Sequence, residues 1–206
     1  MSKIWINIKF LTKVKKGFRG FGRFWEGEVY STEKIVEAYC NYVKGWATIP
    51  NLKCDRGQYE IDILAVDPKN NEKYHIECSV SISSAFSKLT AEEFSEEKFK
   101  KPVEKPRQRM TIGYFKERKF GKKEIMDKLA QYGFKPGNYY KVIVVDGWTD
   151  EAQEKAREYG IELWNFNEIL YELVELCKKS TKYYEDDTLR ATQLLLRALK
   201  RKSQRS

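Results

Sequence analysis

The chain has 206 residues, enough for about one domain with a core that needs neither disulfides nor metal. Its composition is 41% hydrophobic, 33% charged and 14% aromatic, which excludes an intrinsically disordered chain and, with only short apolar runs, a membrane-spanning one. The net charge is +9, and it is unevenly placed: residues 1–25, 98–123 and 188–206 hold 24 of the 39 basic residues but 2 of the 30 acidic ones. An acidic body carrying three basic segments suits a polyanionic partner, because each neutralised phosphate releases counterions.

Residues 1–25 interleave Phe10, Phe18, Phe21, Phe24 and Trp25 with lysine and arginine. Ile4–Leu11 reads as a short strand, and Gly17, Gly20 and Gly22 break any long helix after it. The segment reads as a basic aromatic arm, with Lys13, Lys15, Lys16, Arg19 and Arg23 as candidate phosphate contacts. It has no apolar core of the secretory type, and no two of the four cysteines form a CxxC pair. A cytoplasmic setting is expected, without a zinc ribbon or a disulfide scaffold.

Residues 31–44 predict a helix with an apolar stripe through Ile35, Val36, Tyr39, Tyr42 and Val43, ended by Gly45. A short strand over 46–49 is expected to stop at Pro50-Asn51. Residues 58–66 and 74–82 predict a hairpin around the turn 67–73. In its second strand Tyr74, Ile76, Cys78 and Val80 share one face, and His75, Glu77, Ser79 and Ser81 the other. Residues 83–121 are polar, basic and interrupted by Pro102 and Pro106; a stretch this long calls for short helices or a functional excursion. Lys100, Lys101, Arg107 and Arg109 there are further candidate nucleic-acid contacts. A helix over 122–134, a strand over 140–146, a helix over 149–159 capped by Thr149, a strand over 161–164 and a helix over 166–178 follow. From 188 an amphipathic helix carries Leu189, Leu194, Leu195, Leu196 and Leu199, either packed on its own body or serving a homodimer. The domain plan is an arm (1–25), a main domain (26–180) with the excursion 83–121, and a basic tail (181–206).

Asp62 and Glu77 lie on neighbouring strands of the hairpin. Pairing across the turn brings two carboxylates together, and such a pair takes a proton or a cation between its members. Mg²⁺ or Mn²⁺, with a preference for oxygen, answers that need and activates water against a phosphodiester. The plain alternative is two strand carboxylates facing solvent.

Glu60-Ile61-Asp62-Ile63-Leu64-Ala65, a turn, and His75-Ile76-Glu77-Cys78-Ser79 resemble the core of the PD-(D/E)xK nuclease superfamily, in the flavour of Mrr-like restriction endonucleases and archaeal Holliday-junction resolvases. The element order over about residues 26–176 agrees, outside 83–121. The resemblance implies an α/β restriction-endonuclease-like core with a mixed central sheet flanked by helices. It implies a metal-dependent nuclease acting on duplex or branched DNA, with Asp62, Glu77 and the backbone carbonyl of Cys78 as metal ligands. Glu33 matches the helical acid, with Glu37 as its substitute; Gln58 and Glu60 stand behind Asp62. Ser79 occupies the place of the family's lysine, so the missing charge comes from elsewhere (Lys88, Lys98 and Lys100 are downstream candidates), from a second metal, or not at all. The last case leaves an inactive nucleic-acid-binding module on the same fold; beyond both stands a structural or interaction protein. His75, the only histidine, is read as an incidental strand residue.

Overall fold

The structure is a computed structural model that describes residues 31–80 and 88–203. The arm 1–25, with Lys13, Lys15, Lys16, Arg19 and Arg23, lies outside the described residues, as does the expected strand over 4–11. The fold is α/β: one mixed five-stranded sheet with helices on both faces. The strands are β1 (Ala47–Lys53), β2 (Glu60–Asp67), β3 (Glu72–Cys78), β4 (Tyr140–Val145) and β5 (Ile161–Asn165), and they lie side by side in that order. β1, β2 and β3 are antiparallel neighbours; β3, β4 and β5 run parallel.

Helix α1 (Ser31–Ala38) runs on into a π-helical turn over Tyr39–Lys44, which Gly45 ends at φ 71°. The strand expected to stop at Pro50 instead continues to Lys53. Among the described residues β1 pairs only with β2, so it stands at the edge of the described sheet, where proline's missing N–H is tolerated.

Side chains alternate across the sheet. Ile63, Ala65, Tyr74, Ile76, Val142 and Val144 face one layer, formed by α1, α7 (Phe166–Lys179) and α8 (Asp187–Ser203). Leu64, Ile143 and Val145 face the other, where α4 (Ile112–Tyr114), α5 (Lys123–Gln131) and α6 (Asp150–Glu158) contribute Ile112, Ile125, Leu129, Ala152 and Ala156. α8 buries Leu189 in the first layer and packs Leu196 on it, while Leu194, Leu195 and Leu199 stay exposed. No helix among the described residues is long and apolar enough to cross a membrane.

The stretch 88–121 is built of short pieces: α2 (Glu96–Lys100), α3 (Lys105–Arg109), α4 and a π-helical turn over Phe115–Phe120. It is anchored where Leu89 bridges to Trp148 and Thr90 to Thr111. Gly113 crosses so close to residues 93 and 94 that a Cβ would stand 2.3 Å from the Phe94 backbone nitrogen. Only glycine fits there, and the crossing carries the Phe115–Phe120 turn beneath the end of the hairpin.

Candidate active site

Asp62 and Glu77 lie one step past the last paired residues of the hairpin, Ile63 and Ile76. They share the sheet face of Leu64 and His75, the face that the 88–121 excursion covers. Both carboxylates are therefore buried: Glu77 is 0% exposed and Asp62 7%. The solvent-facing alternative does not hold.

The hairpin splays at this end. The Cys78 backbone N–H donates to Asp62 Oδ2 at 2.7 Å, so the carboxylate takes up a donor of the neighbouring strand. Lys119 enters from the π-helical turn. Its Nζ lies 2.5 Å from Glu77 Oε2 and 3.1 Å from Asp62 Oδ1, and it also donates to the Glu60 carbonyl at 3.3 Å. Lys119 is thus a cation in contact with both acids, and Lys88, Lys98 and Lys100 make no such contact with them among the described residues. Ser79 lines the same cleft, but its hydroxyl donates to Met110 Sδ at 3.1 Å.

His75 is a structural partner of Glu77, not an incidental strand residue. Its ring is fully buried, edge-on to Phe120 at 4.8 Å. Nε2 lies 2.7 Å from Glu77 Oε1. Burial, reinforced by the charge of Lys119, drives the imidazole pKa down to about 3, so the ring is neutral. The neutral ring and Glu77 share one hydrogen between Nε2 and Oε1. Nδ1 is left without a partner among the described residues.

Glu33, from the first turn of α1, closes the cleft on the other side. It is 8% exposed, and its Oε2 has no hydrogen-bond partner among the described residues. Burial, then the charges of Asp62 and Glu60, raise its pKa to about 8. Burial and Glu77 raise that of Asp62 to about 7, and burial raises that of Glu77. For Lys119 burial works against the charge, but Glu77 and Asp62 outweigh it and hold the pKa above the usual lysine range. Glu37 is turned to Lys34, 2.6 Å away, and takes no part. Gln58 and Glu60 line the cleft, as do Cys78 and Arg109. Lys100, Lys101 and Arg107 are exposed on or beside α2 and α3.

The cleft above these groups has a volume of about 870 Å³. Its other walls come from Tyr59 in the β1–β2 connection, Phe99 of α2, Lys105 and Arg109 of α3, and Tyr114 and Arg118 of α4 and the turn after it. The sequence left Lys119 unmarked among eleven cations in 98–123. Its signal was local: it stands between Phe115 and Phe120, both buried, so this stretch had to approach the core.

Carboxylate oxygen is the ligand type that a hard divalent cation takes. Glu33, Glu60 and Asp62 line the cleft with Lys119, Glu77 is buried against Lys119, and Glu33 Oε2 has no hydrogen-bond partner among the described residues. Among the described residues, no three acidic, histidine or cysteine side chains are gathered into a ready-made metal cage. Mg²⁺ seldom needs one: it is held by one or two carboxylates, with water and substrate phosphate completing its shell.

No protein-family model and no curated protein matches the chain. Two solved structures follow a related chain path. One is a protein of unknown function, 16% identical with a TM-score of 0.42, over 79% of this chain and 78% of that one. The other is a repair endonuclease from Pyrococcus abyssi, 14% identical with a TM-score of 0.39. That similarity covers 68% of this chain and 49% of the endonuclease, so the chain spans about half of its length.

Proposed function

We propose that the protein is a metal-dependent nuclease that hydrolyses phosphodiester bonds in DNA. The observation that carries this reading is Lys119. Its ammonium lies on both Asp62 and Glu77, which supports a combination of two acids and a cation like that of a PD-(D/E)xK centre, with the cation drawn from a different element. Lys119 supports the catalytic reading over the inactive module, whose ground was the missing lysine at 79.

Asp62 and Glu77 would hold Mg²⁺ or Mn²⁺, with the Cys78 carbonyl beside them and the free oxygen of Glu33 facing the same space. The ion would supply charge to the scissile phosphate and lower the pKa of attacking water. His75 fixes one oxygen of Glu77, and the Cys78 N–H fixes one oxygen of Asp62, so the other oxygen of each carboxylate is turned to Lys119. Lys119 holds a positive charge where negative charge develops on phosphate; one such electrostatic donor is worth about 10²–10³ in rate. Glu33, protonated near neutrality, is placed to exchange a proton with water in the cleft. Arg109, Arg118 and Lys105 line the approach and neutralise flanking phosphates.

The test is incubation of supercoiled plasmid and branched DNA with the purified protein in Mg²⁺ or Mn²⁺, beside a chelated control. Nicking or linearisation that needs the divalent ion supports the reading. DNA binding without cleavage in either metal returns it to the inactive module.

A further inference from the structure

We infer that the strand taken into this cleft is unpaired, and that Phe99 and Tyr59 are the surfaces on which its bases stack. The inference rests on the nuclease reading for the place of the scissile phosphate. It goes beyond that reading in naming the strand state and the residues that select it.

Phe94, Phe99 and Tyr114 form an aromatic ledge beside the carboxylates. Phe99 and Tyr114 stack with centroids 5.7 Å apart at 26°, and Phe94 meets Phe99 edge-on at 5.5 Å. Three cations gather over the Phe99 ring: Lys105 at 5.3 Å, Arg118 at 5.8 Å and Arg109 at 5.9 Å. The Arg118 guanidinium also lies 5.9 Å from the Tyr59 ring, so it bridges the two walls of the cleft. Arg118 and Lys119 are consecutive on one π-helical turn. One reaches the aromatic wall and the other the acids, and irregular turns of this kind are often found at functional sites.

Ring faces interleaved with cations match the chemistry of an unpaired strand. Bases stack on rings and guanidinium planes, while the cations follow the phosphates. A duplex offers only groove edges and backbone, because its base faces are covered. The cleft's volume of about 870 Å³ falls in the range of small-molecule pockets, roughly 300–1,000 Å³, which suits a few nucleotides drawn out of a helix.

The experiment is fluorescence anisotropy with the divalent ion chelated. Its probes are a fluorescein-labelled oligodeoxynucleotide single strand, a blunt duplex of the same sequence, and a duplex with one splayed end. The single strand and the splayed duplex are expected to bind more tightly than the blunt duplex. Phe99→Ala and Tyr59→Ala, each checked by thermal melting, are expected to weaken single-strand binding by about 5- to 100-fold. Blunt-duplex binding should change little, and Phe99→Trp should retain single-strand affinity. Equal affinity for single strand and blunt duplex overturns the inference, as does an equal loss on both in the alanine variants. Cleavage in Mn²⁺ separates the two readings. Wall-dependent single-strand binding without cleavage refutes the nuclease and leaves this inference standing. Cleavage of blunt duplex that is indifferent to Phe99 does the reverse.

Discussion

Lys119→Met removes the cation from between Asp62 and Glu77 while keeping most of the side-chain volume. With an effective dielectric constant of about 20, the contacts at 3.1 and 2.5 Å are worth about 5 and about 7 kcal/mol of attraction. Desolvation of the three buried groups cancels much of this, at several kcal/mol per ion. Breaking such a pair from one side typically costs about 3–5 kcal/mol, because the remaining charges stay buried. The acids have an escape: Asp62, with a pKa already near 7, takes a proton when the cation is gone. The loss is therefore largest at alkaline pH, where protonation is hardest. Thermal melts of the metal-free protein at pH 8 should show the variant lower by about 6–20 °C, the equivalent of about 3–5 kcal/mol for a chain of this size. At pH 5.5 the gap should shrink to a few degrees. In the cleavage assay the same variant should lose about 10²–10³ in rate. Equal melting temperatures at pH 8, or an equal drop at both pH values, would refute the assignment of Lys119 as counter-ion to both acids.

Three further outcomes follow from the same geometry. Asp62 and Glu33 bind protons in the folded state up to about pH 7 and about pH 8, against 3.8 and 4.5 unfolded, so each stabilises the metal-free protein at low pH and loses that contribution as pH rises through its folded value. His75 acts in the opposite sense: with its folded pKa at about 3 against 6.5 unfolded, its contribution is present above 6.5 and is lost as pH falls towards 3. Each group contributes up to about 1.4 kcal/mol per pH unit, so the acids prevail between pH 5 and 8. The melting temperature should fall across that range in chelator, and Asp62→Asn should flatten the fall. Ser79→Ala should leave the cleavage rate within about twofold of wild type, since the hydroxyl is engaged by Met110 and the charge comes from Lys119; a hundredfold loss would return a catalytic role to position 79. Gly113→Ala drives a Cβ into the backbone at 93–94, so denaturant titration should show a loss of about 1–3 kcal/mol, and cleavage should fall because the turn carrying Lys119 shifts; a neutral result would mean that the crossing is not what positions it.

The order of strands and helices was legible because each depends on local pattern. The alternation from Tyr74 and the apolar run 142–145 specify strands wherever they are placed, although the strand expected over 74–82 already ends at Cys78, and Thr149 with Gly160 bounds its helix as expected. The acids of the site were legible for the same reason, since two-residue periodicity and a tight turn put Asp62 and Glu77 on adjacent strands. What the pattern could not show was burial. The polar face of β3 sits under the 88–121 excursion, so His75 and Glu77 are among the most enclosed of the described residues. That excursion is held by the Leu89 and Thr90 bridges, the glycine crossing and scattered buried residues such as Met110, Ile112, Phe115 and Phe120, none of which has a periodic signature. Lys119 was illegible for a related reason: it lies 57 residues from Asp62, on a π-helical turn whose register helical spacing does not give. Pro50 misled because its effect depends on whether a strand is central or at an edge, which is a property of the sheet.

The most direct measurement is the cleavage rate of wild type, Asp62→Asn, Glu77→Gln and Lys119→Met on one plasmid substrate in Mn²⁺, with folding of each confirmed by circular dichroism. The account predicts metal-dependent cleavage by wild type and its loss in both acid variants, with Lys119→Met slowed by about 10²–10³. Cleavage that survives Asp62→Asn and Glu77→Gln, or a wild-type protein that leaves the plasmid uncut in Mn²⁺, would contradict it.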